Sequence, residues 1–157
     1  MNWDAISAIA EVVGVIAVVV SLLYLAIQVK AQNRESRIAS THEIYAAFRE
    51  IAAPFRDPHL AELVVKSMNE GYENLSEAER VQIIGLIIPF LRVWEEAFYQ
   101  RQDGRLDDAI WSSITAQYAD TMAISTNQEI WRIRRHVFAE EFRNYVDELE
   151  IGEYKNK

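Results

Sequence analysis

The sequence contains no cysteine, which excludes disulfide bridges, thiolate zinc sites, iron–sulfur clusters and a cysteine nucleophile. Glycine and proline are scarce, with five and three residues among 157, and this favours long helices over turn-rich β structure. Residues 1–29 contain no Lys or Arg, although they include Asp4 and Glu11. All 16 Lys and Arg and the other 22 acids therefore belong to residues 30–157, whose formal charge is −6. Because an acidic segment repels nucleic acid, we expect no nucleic-acid partner.

The segment from Ala5 to Val29 is an almost wholly apolar run of 25 residues. At about 1.5 Å per residue it reaches about 37 Å as a helix, against a bilayer hydrocarbon core of about 30 Å. We therefore predict that residues 1–29 form a transmembrane anchor. Two alternatives are a cleaved signal peptide, which needs a basic start and a shorter apolar core, and a buried helix, which needs a larger protein around it.

Basic residues follow the apolar run at Lys30, Arg34 and Arg37. Since positively charged flanks stay in the cytoplasm, the sequence predicts an outside N-terminus and residues 30–157 on the cytoplasmic side of the inner cell membrane. Trp3 and Tyr24 suit the two interfacial aromatic belts.

Small or polar residues recur in steps of three and four along one face of the apolar run. They are Ser7, Ala10, Gly14, Ala17, Ser21, Tyr24 and Gln28. This spacing has the 3.5-residue period of a helix–helix seam, and small residues let helices approach closely in lipid. The pattern predicts a homo-oligomer or contact with another membrane protein. It continues beyond the run at Ala31, Ile38, Tyr45 and Ala52, with Phe48 on the same face.

Glu11 is the one ionisable residue inside the apolar run, and it lies beside the seam. A carboxylate at this depth must be protonated, paired or near water. We favour a side chain that reaches the outer headgroups. The alternatives are a ring of acids at the mouth of an oligomeric cation pore and a proton-sensitive contact.

The sequence predicts an all-α fold in which the transmembrane helix continues into a small bundle of about five helices. The first helix extends from Ala5 to Ala53 and ends because Pro54 cannot continue it. The expected segments are the anchor at 1–29, a helical extension at 30–53, a bundle domain at 54–152 and a frayed tail at 153–157.

Local capping patterns predict where the next helices begin. Asp57 and Pro58 read as the cap and first residue of a short helix that ends near Met68. Ser76 and Glu79 form a capping box that opens the third helix.

The third helix contains a second apolar run, too short to span a membrane, and is the predicted core helix. It ends at Asp103, and a fourth helix starts near Asp107. Thr126 and Glu129 read as another capping box, which opens a fifth helix through Leu149.

Several charged residues in the bundle are candidates either for a site or for structural contacts. Glu95 is expected to form a buried ion pair with Arg92 or with an arginine of the fifth helix. His136 and Glu140 are four residues apart, which is half of a metal site, so we expect no metal. A basic cluster is expected to neutralise Glu140 and Glu141, and the alternative is that it binds a phosphate or an acidic helix. It comprises Arg132, Arg134, Arg135 and His136.

Large aromatic residues recur at helical spacing in the bundle, and we expect them in the core rather than around a cavity. They include Trp94, Trp111, Trp131 and Phe138.

Several motifs resemble a known group of proteins. They are Arg92-x-Trp94-Glu95-x-x-Phe98-Tyr99-Gln100, Gly104-x-Leu106-Asp107-x-x-x-Trp111, Ala8-Ile9-Ala10-Glu11-x-x-Gly14 and Tyr24-Leu25-Ala26-Ile27-Gln28. The chain resembles, over nearly its whole length, a large family of small bacterial proteins with one N-terminal span and a helical domain. The resemblance implies a membrane span and a helical domain, and it implies no activity, substrate or catalytic residue.

No phosphate-binding loop, nucleophile elbow or paired-carboxylate motif occurs in the sequence. We therefore expect a non-enzymatic, self-associating interaction or scaffold module with no cofactor, whose partners are the lipid bilayer and a second membrane helix. The alternatives are a small homo-oligomeric channel, a membrane-tethered sensor or enzyme, and an accessory subunit of a larger complex.

Overall fold

The computed structural model describes residues 3–152, which form six α-helices and three 3₁₀ turns without a β-strand in that range. The helices are α1 (Trp3–Ala52), α2 (Pro58–Glu70), α3 (Glu77–Gln102), α4 (Asp108–Met122), α5 (Ser125–Arg134) and α6 (Glu140–Asp147). The predicted all-α class is confirmed. The predicted frayed tail, 153–157, lies outside the described residues.

Contacts divide the chain into two compact units inside α1, the first ending at Ile38 and the second beginning at Ala39. Helix α1 ends at Ala52, close to the end that Pro54 predicts. The chain continues as a 3₁₀ turn at Ala53–Arg56, which contains this proline.

Two predicted helix starts are confirmed by their caps. The Asp57 side chain accepts a hydrogen bond from the backbone N–H of His59 at 2.9 Å, which caps α2. At the start of α3, the Ser76 side chain accepts from the Glu79 N–H at 3.4 Å, and the Glu79 carboxylate accepts from the Ser76 N–H at 2.8 Å. These bonds satisfy N–H groups that have no partner within the helix.

The predicted capping box at Thr126 and Glu129 is wrong. Thr126 lies inside the first turn of α5, where it is fully buried, and its hydroxyl donates to the Ser67 carbonyl at 2.6 Å. The cap position is Ile124, which makes no side-chain cap bond. The Thr126 side chain therefore bonds to a residue 59 positions away instead of to the N–H of Glu129.

The predicted fifth helix is in fact two helices, α5 and α6, separated by the 3₁₀ turn Arg135–Val137 and an extended stretch. Side chains of α3 hold the backbone at this break. Arg92 donates to the Val137 carbonyl at 2.8 Å, and Glu95 accepts from the Ala139 N–H at 2.8 Å. These bonds substitute for hydrogen bonds that an uninterrupted helix would make.

Helix α3 is the centre of the bundle, as predicted, because it contributes to both apolar clusters of the second unit. The larger cluster includes Ile44, Leu91, Trp94, Tyr118, Trp131, Phe138 and Phe142. The smaller one contains Leu63, Leu75, Ile83 and Ile130. Burying these side chains contributes about 1.5–3 kcal/mol each, which is the main stabilisation of the bundle.

The inward face of the end of α1 was not predicted. Ile44 is completely buried and Ser40 nearly so, whereas Tyr45 is 41% exposed and Ile38 is 50% exposed. Tyr45, a position that continues the membrane seam, is therefore partly exposed, whereas Phe48 of the same face and Ile44 of a neighbouring face pack into the larger cluster.

Candidate functional site

The first unit carries a segment long and apolar enough to cross a membrane. From Ile9 to Val29 every large apolar side chain is between 47% and 68% exposed. Exposing such a helix to water forgoes about 1.5–3 kcal/mol for each large apolar side chain that is left uncovered.

The small-residue seam lies on this uncovered segment of α1, and all seven of its members are exposed. A Cβ added at Gly14 would meet no atom within 4 Å, so the chain itself does not fill the space at that position. The Ser21 hydroxyl donates to the Ala17 carbonyl at 2.8 Å, which satisfies this polar group within the helix. The face is therefore available to another helix without leaving that hydroxyl unpaired.

Charge is confined to the two ends of the apolar segment. Glu11 is exposed among apolar neighbours near its start. Lys30, Arg34 and Arg37 are exposed after its end.

The predicted ion pair between Arg92 and Glu95 is confirmed, with an N–O distance of 2.5 Å. Glu95 is 9% exposed, and both of its carboxylate oxygens are bonded, one to Arg92 and one to the Ala139 N–H. Arg92 also lies over the Phe138 ring at 4.4 Å. Because every one of these contacts is within the fold, the motif around Glu95 has a structural role.

The basic cluster pairs with other acids than those expected. Arg132 binds Glu129 at 2.5 Å, and Arg135 binds Asp147. The Arg132 hydrogen bond lowers the pKa of Glu129.

His136 and Glu140 do not share a helix face, because His136 belongs to the 3₁₀ turn and Glu140 begins α6. The two line a shallow depression together with Arg135 and Arg143. Within the described residues, no group of three or more His, Cys, Asp or Glu is arranged to hold a metal ion.

The four aromatic residues singled out in the sequence all pack against other rings. Trp94 is fully buried and stacks on Tyr118 with a centroid distance of 4.4 Å. Trp131 lies 5.3 Å from Phe138, and Trp111 lies 5.5 Å from Tyr145. These residues form core, as predicted.

A different set of aromatic residues lines an apolar groove within the second unit. The groove has a volume of about 680 Å³ and is bordered by the end of α1, the turn Ala53–Arg56, the middle of α3 and the end of α4. Its aromatic lining comprises Tyr45, Phe48, Phe55 and Phe90. Volumes of 300–1,000 Å³ with mostly apolar walls are typical of small-molecule sites.

The floor of the apolar groove is fixed by the core beneath it. The rings of Phe48 and Phe90 meet edge to face at 6.3 Å, and Tyr118 packs against both. The Tyr118 hydroxyl donates to the Phe90 carbonyl at 2.7 Å. The groove is therefore preformed.

Arg49 is the charged residue in the lining of the apolar groove, which also includes His42 and contains no Asp or Glu. Both are exposed. Arg49 makes no ion pair or side-chain hydrogen bond with any residue between 3 and 152. A site whose charges are all basic thus lies within a domain of net negative charge.

Sequence reasoning missed this groove as a site, although it noted three of its residues. Tyr45, Phe48 and Ala52 were assigned to the continued seam, and they line the groove in the structure. The signal in the sequence was the group of aromatic residues Tyr45, Phe48 and Phe55 on either side of Pro54. What the sequence lacked was the position of α3 and α4 opposite them.

Comparison with known proteins gives no relative from which to transfer a role. No family model, no curated protein and no solved structure matches this chain.

Proposed function

We propose that this chain is a single-pass membrane protein that self-associates through α1 and serves as a non-enzymatic interaction module. The observation that carries the proposal is the uncovered apolar segment Ile9–Val29 of α1. Lipid is the environment that stabilises such a helix, because all its backbone groups are bonded internally and its side chains are apolar.

The proposed orientation places the N-terminus outside and residues 30–157 in the cytoplasm. Lys30, Arg34 and Arg37 support it, since basic residues close to a span are retained on the cytoplasmic side. The inner membrane of a bacterial cell follows from the resemblance to small single-span bacterial proteins, which belongs to the same proposal.

The absence of cysteine makes this topology easy to test. Single substitutions Asn2→Cys and Ser113→Cys introduce the only thiols of the chain. Treating intact cells with a membrane-impermeant maleimide is expected to label Asn2→Cys and to leave Ser113→Cys unlabelled until lysis. Labelling in the reverse order contradicts the orientation. Recovery of the full chain in the soluble fraction after alkaline extraction contradicts the span itself.

Self-association is supported by the seam, where small side chains leave room for a second helix. Gly14→Leu fills that room, and Ala26→Leu places the same leucine side chain away from the seam. Crosslinking of the full chain in lipid nanodiscs of defined size is expected to give oligomers for wild type and Ala26→Leu, and fewer for Gly14→Leu. Equal crosslinking of all three removes the seam from the proposal.

A second candidate function is a small homo-oligomeric cation channel, favoured by the position of Glu11 in the apolar stretch beside the seam. A ring of acids at a pore mouth would attract cations. Planar-bilayer recordings of wild type and Glu11→Gln test it. Cation-selective currents that lose selectivity in the variant support a pore, and a silent wild type excludes one.

A further inference from the structure

We infer that the apolar groove binds a single-chain fatty acid, with the carboxylate at Arg49 and the hydrocarbon chain along Phe48 and Phe90. This inference goes beyond self-association. It concerns residues of the second unit and does not require that the spans meet.

The apolar walls select the body of the ligand. Tyr45 and Phe55 are 41% and 43% exposed, so two large rings at the edge of the groove face solvent. Clustered exposed apolar surface of this kind marks binding sites. A flexible hydrocarbon chain covers such surface without requiring polar partners, and the groove volume of about 680 Å³ lies in the range for ligands of this size.

The charges select the head of the ligand. Arg49 is the one lining residue with a permanent charge, and the guanidinium presents parallel N–H groups that match two carboxylate oxygens. A phosphate carries a charge of about −1.5 to −2 and is better matched by several cations than by one. The acidic surface of the rest of the domain repels anions. Arg49 is therefore the place in the groove where an anionic ligand can bind.

Two further polar residues line the groove and can donate hydrogen bonds to an anion. His42 lies two helical turns before Arg49 on α1, and Gln117 contributes an amide from α4. The polar groups of the lining are therefore available to the head of the ligand, and the aromatic floor is available to its chain.

The test uses the full chain in phosphatidylcholine nanodiscs and a palmitate analogue that carries a diazirine in its chain. After illumination, adducts are mapped by mass spectrometry. We expect labelling of the peptides that contain Phe48, Phe55 and Phe90, and competition by palmitate but not by cetyl alcohol. Labelling spread evenly over the apolar segment of α1, or equal competition by the alcohol, overturns the proposal.

Matched variants separate charge from fold. Arg49→Gln is expected to reduce groove labelling about tenfold, because it removes a charge-assisted contact, whereas Arg56→Gln makes the same change outside the groove and is expected to label like wild type. Ala52→Trp fills the groove and should block labelling, and Ala46→Trp places the same ring on an exposed part of α1 away from it. Unchanged labelling in both Arg49→Gln and Ala52→Trp overturns the site even where one variant folds poorly.

Two other occupants give distinct results. A phosphatidylcholine that carries the same diazirine would label the groove if a bilayer lipid occupied it. A benzophenone amino acid at Tyr45 would crosslink two chains if a second copy covered it. Either outcome contradicts the fatty-acid site, and neither depends on the result of the Gly14→Leu experiment.

Discussion

Glu95 in the middle of α3 accepts a hydrogen bond from the backbone N–H of Ala139, 44 residues later, at 2.8 Å. Its other carboxylate oxygen pairs with Arg92, which in turn donates to the Val137 carbonyl. The two residues of this ion pair thus hydrogen-bond to the backbone on both sides of Phe138. These bonds hold the chain at the break between α5 and α6.

Replacing Glu95 by Ala should destabilise the bundle by about 2–3 kcal/mol, because the backbone N–H of Ala139 loses its charged acceptor and Arg92 loses its partner. Glu95→Gln keeps one acceptor and should cost roughly half as much. Urea unfolding of the full chain in micelles, followed by near-ultraviolet circular dichroism, measures both. Glu62→Ala removes an exposed carboxylate of α2 and should stay within about 0.5 kcal/mol of wild type. Similar losses of stability in all three variants would show that the contacts of Glu95 do not contribute more than an exposed carboxylate does.

Adjacent residues of α1 should differ sharply in their effect on stability. Ile44 is fully buried, so Ile44→Ala leaves a cavity and should cost about 2–5 kcal/mol. Tyr45 is 41% exposed, so Tyr45→Ala should cost less than about 1 kcal/mol. The same urea titration checks the order. A larger loss for Tyr45→Ala would mean that Tyr45, and not Ile44, is the residue that packs into the core.

Acidification should weaken the contact between α2 and the start of α3. The hydrogen bond from Lys66, at 2.7 Å, lowers the pKa of Glu79 from 4.5 to about 2, with help from the Ser76 backbone. A depressed carboxyl pKa stabilises the fold above the unfolded value of 4.5, and this stabilisation is lost as the pH falls from 4.5 to about 2.

Glu79→Gln should flatten this part of the pH profile, because glutamine keeps the capping box but does not titrate. The measurement is the thermal midpoint at pH 6 and at pH 2.5 for wild type, Glu79→Gln and the control Glu77→Gln. A smaller acid-induced drop is expected for Glu79→Gln alone. An equal drop in all three would show that other carboxyls dominate.

Alkaline conditions should act through Tyr118. Burial raises the pKa of this phenol above its ordinary value of 10, so the fold favours the protonated form. The stabilisation is complete below pH 10 and is lost as the pH rises above it. Near pH 7, Tyr118→Phe should be less stable than wild type by about 1 kcal/mol, because it loses the hydrogen bond to the Phe90 carbonyl. Between pH 7 and pH 11.5, the variant should lose less stability than wild type.

Tyr45→Phe is the control for that profile, since Tyr45 is exposed and outside the core. Thermal unfolding at pH 7 and pH 11.5 gives the comparison. If wild type, Tyr118→Phe and Tyr45→Phe lost the same thermal stability between pH 7 and pH 11.5, the buried phenol of Tyr118 would not be the group responsible for the loss.

Features of the fold that depend on neighbours in sequence were predictable. Asp57 and Ser76 each cap a helix with a bond to a residue two or three positions ahead, so the sequence alone locates α2 and α3. Features that depend on distant partners were not. The sequence predicts Thr126 as a helix cap, but in the structure its hydroxyl bonds to the Ser67 carbonyl at 2.6 Å. No residue near position 135 predicts that side chains of α3 support a break in the helix there.

The candidate sites follow the same division. The seam, Glu11 and the basic flank lie on one helix, and their spacing is readable from the sequence. The apolar groove needs Arg49 of α1, Phe90 of α3 and Gln117 of α4 at once. Helix spacing alone does not bring such residues together, because the angles between packed helices are set by side chains on both partners.

The aromatic core also affects how the protein is made. Trp94 is enclosed by Tyr118, which stacks on it, and by Phe142, which meets it edge-on at 5.4 Å. At ribosomal rates of about 5–20 residues per second, the chain between Trp94 and Phe142 takes about 2–10 s to synthesise. Throughout that interval the tryptophan of the nascent α3 lacks its contact with Phe142, and the delay before α6 arrives is a window for chaperone capture or aggregation.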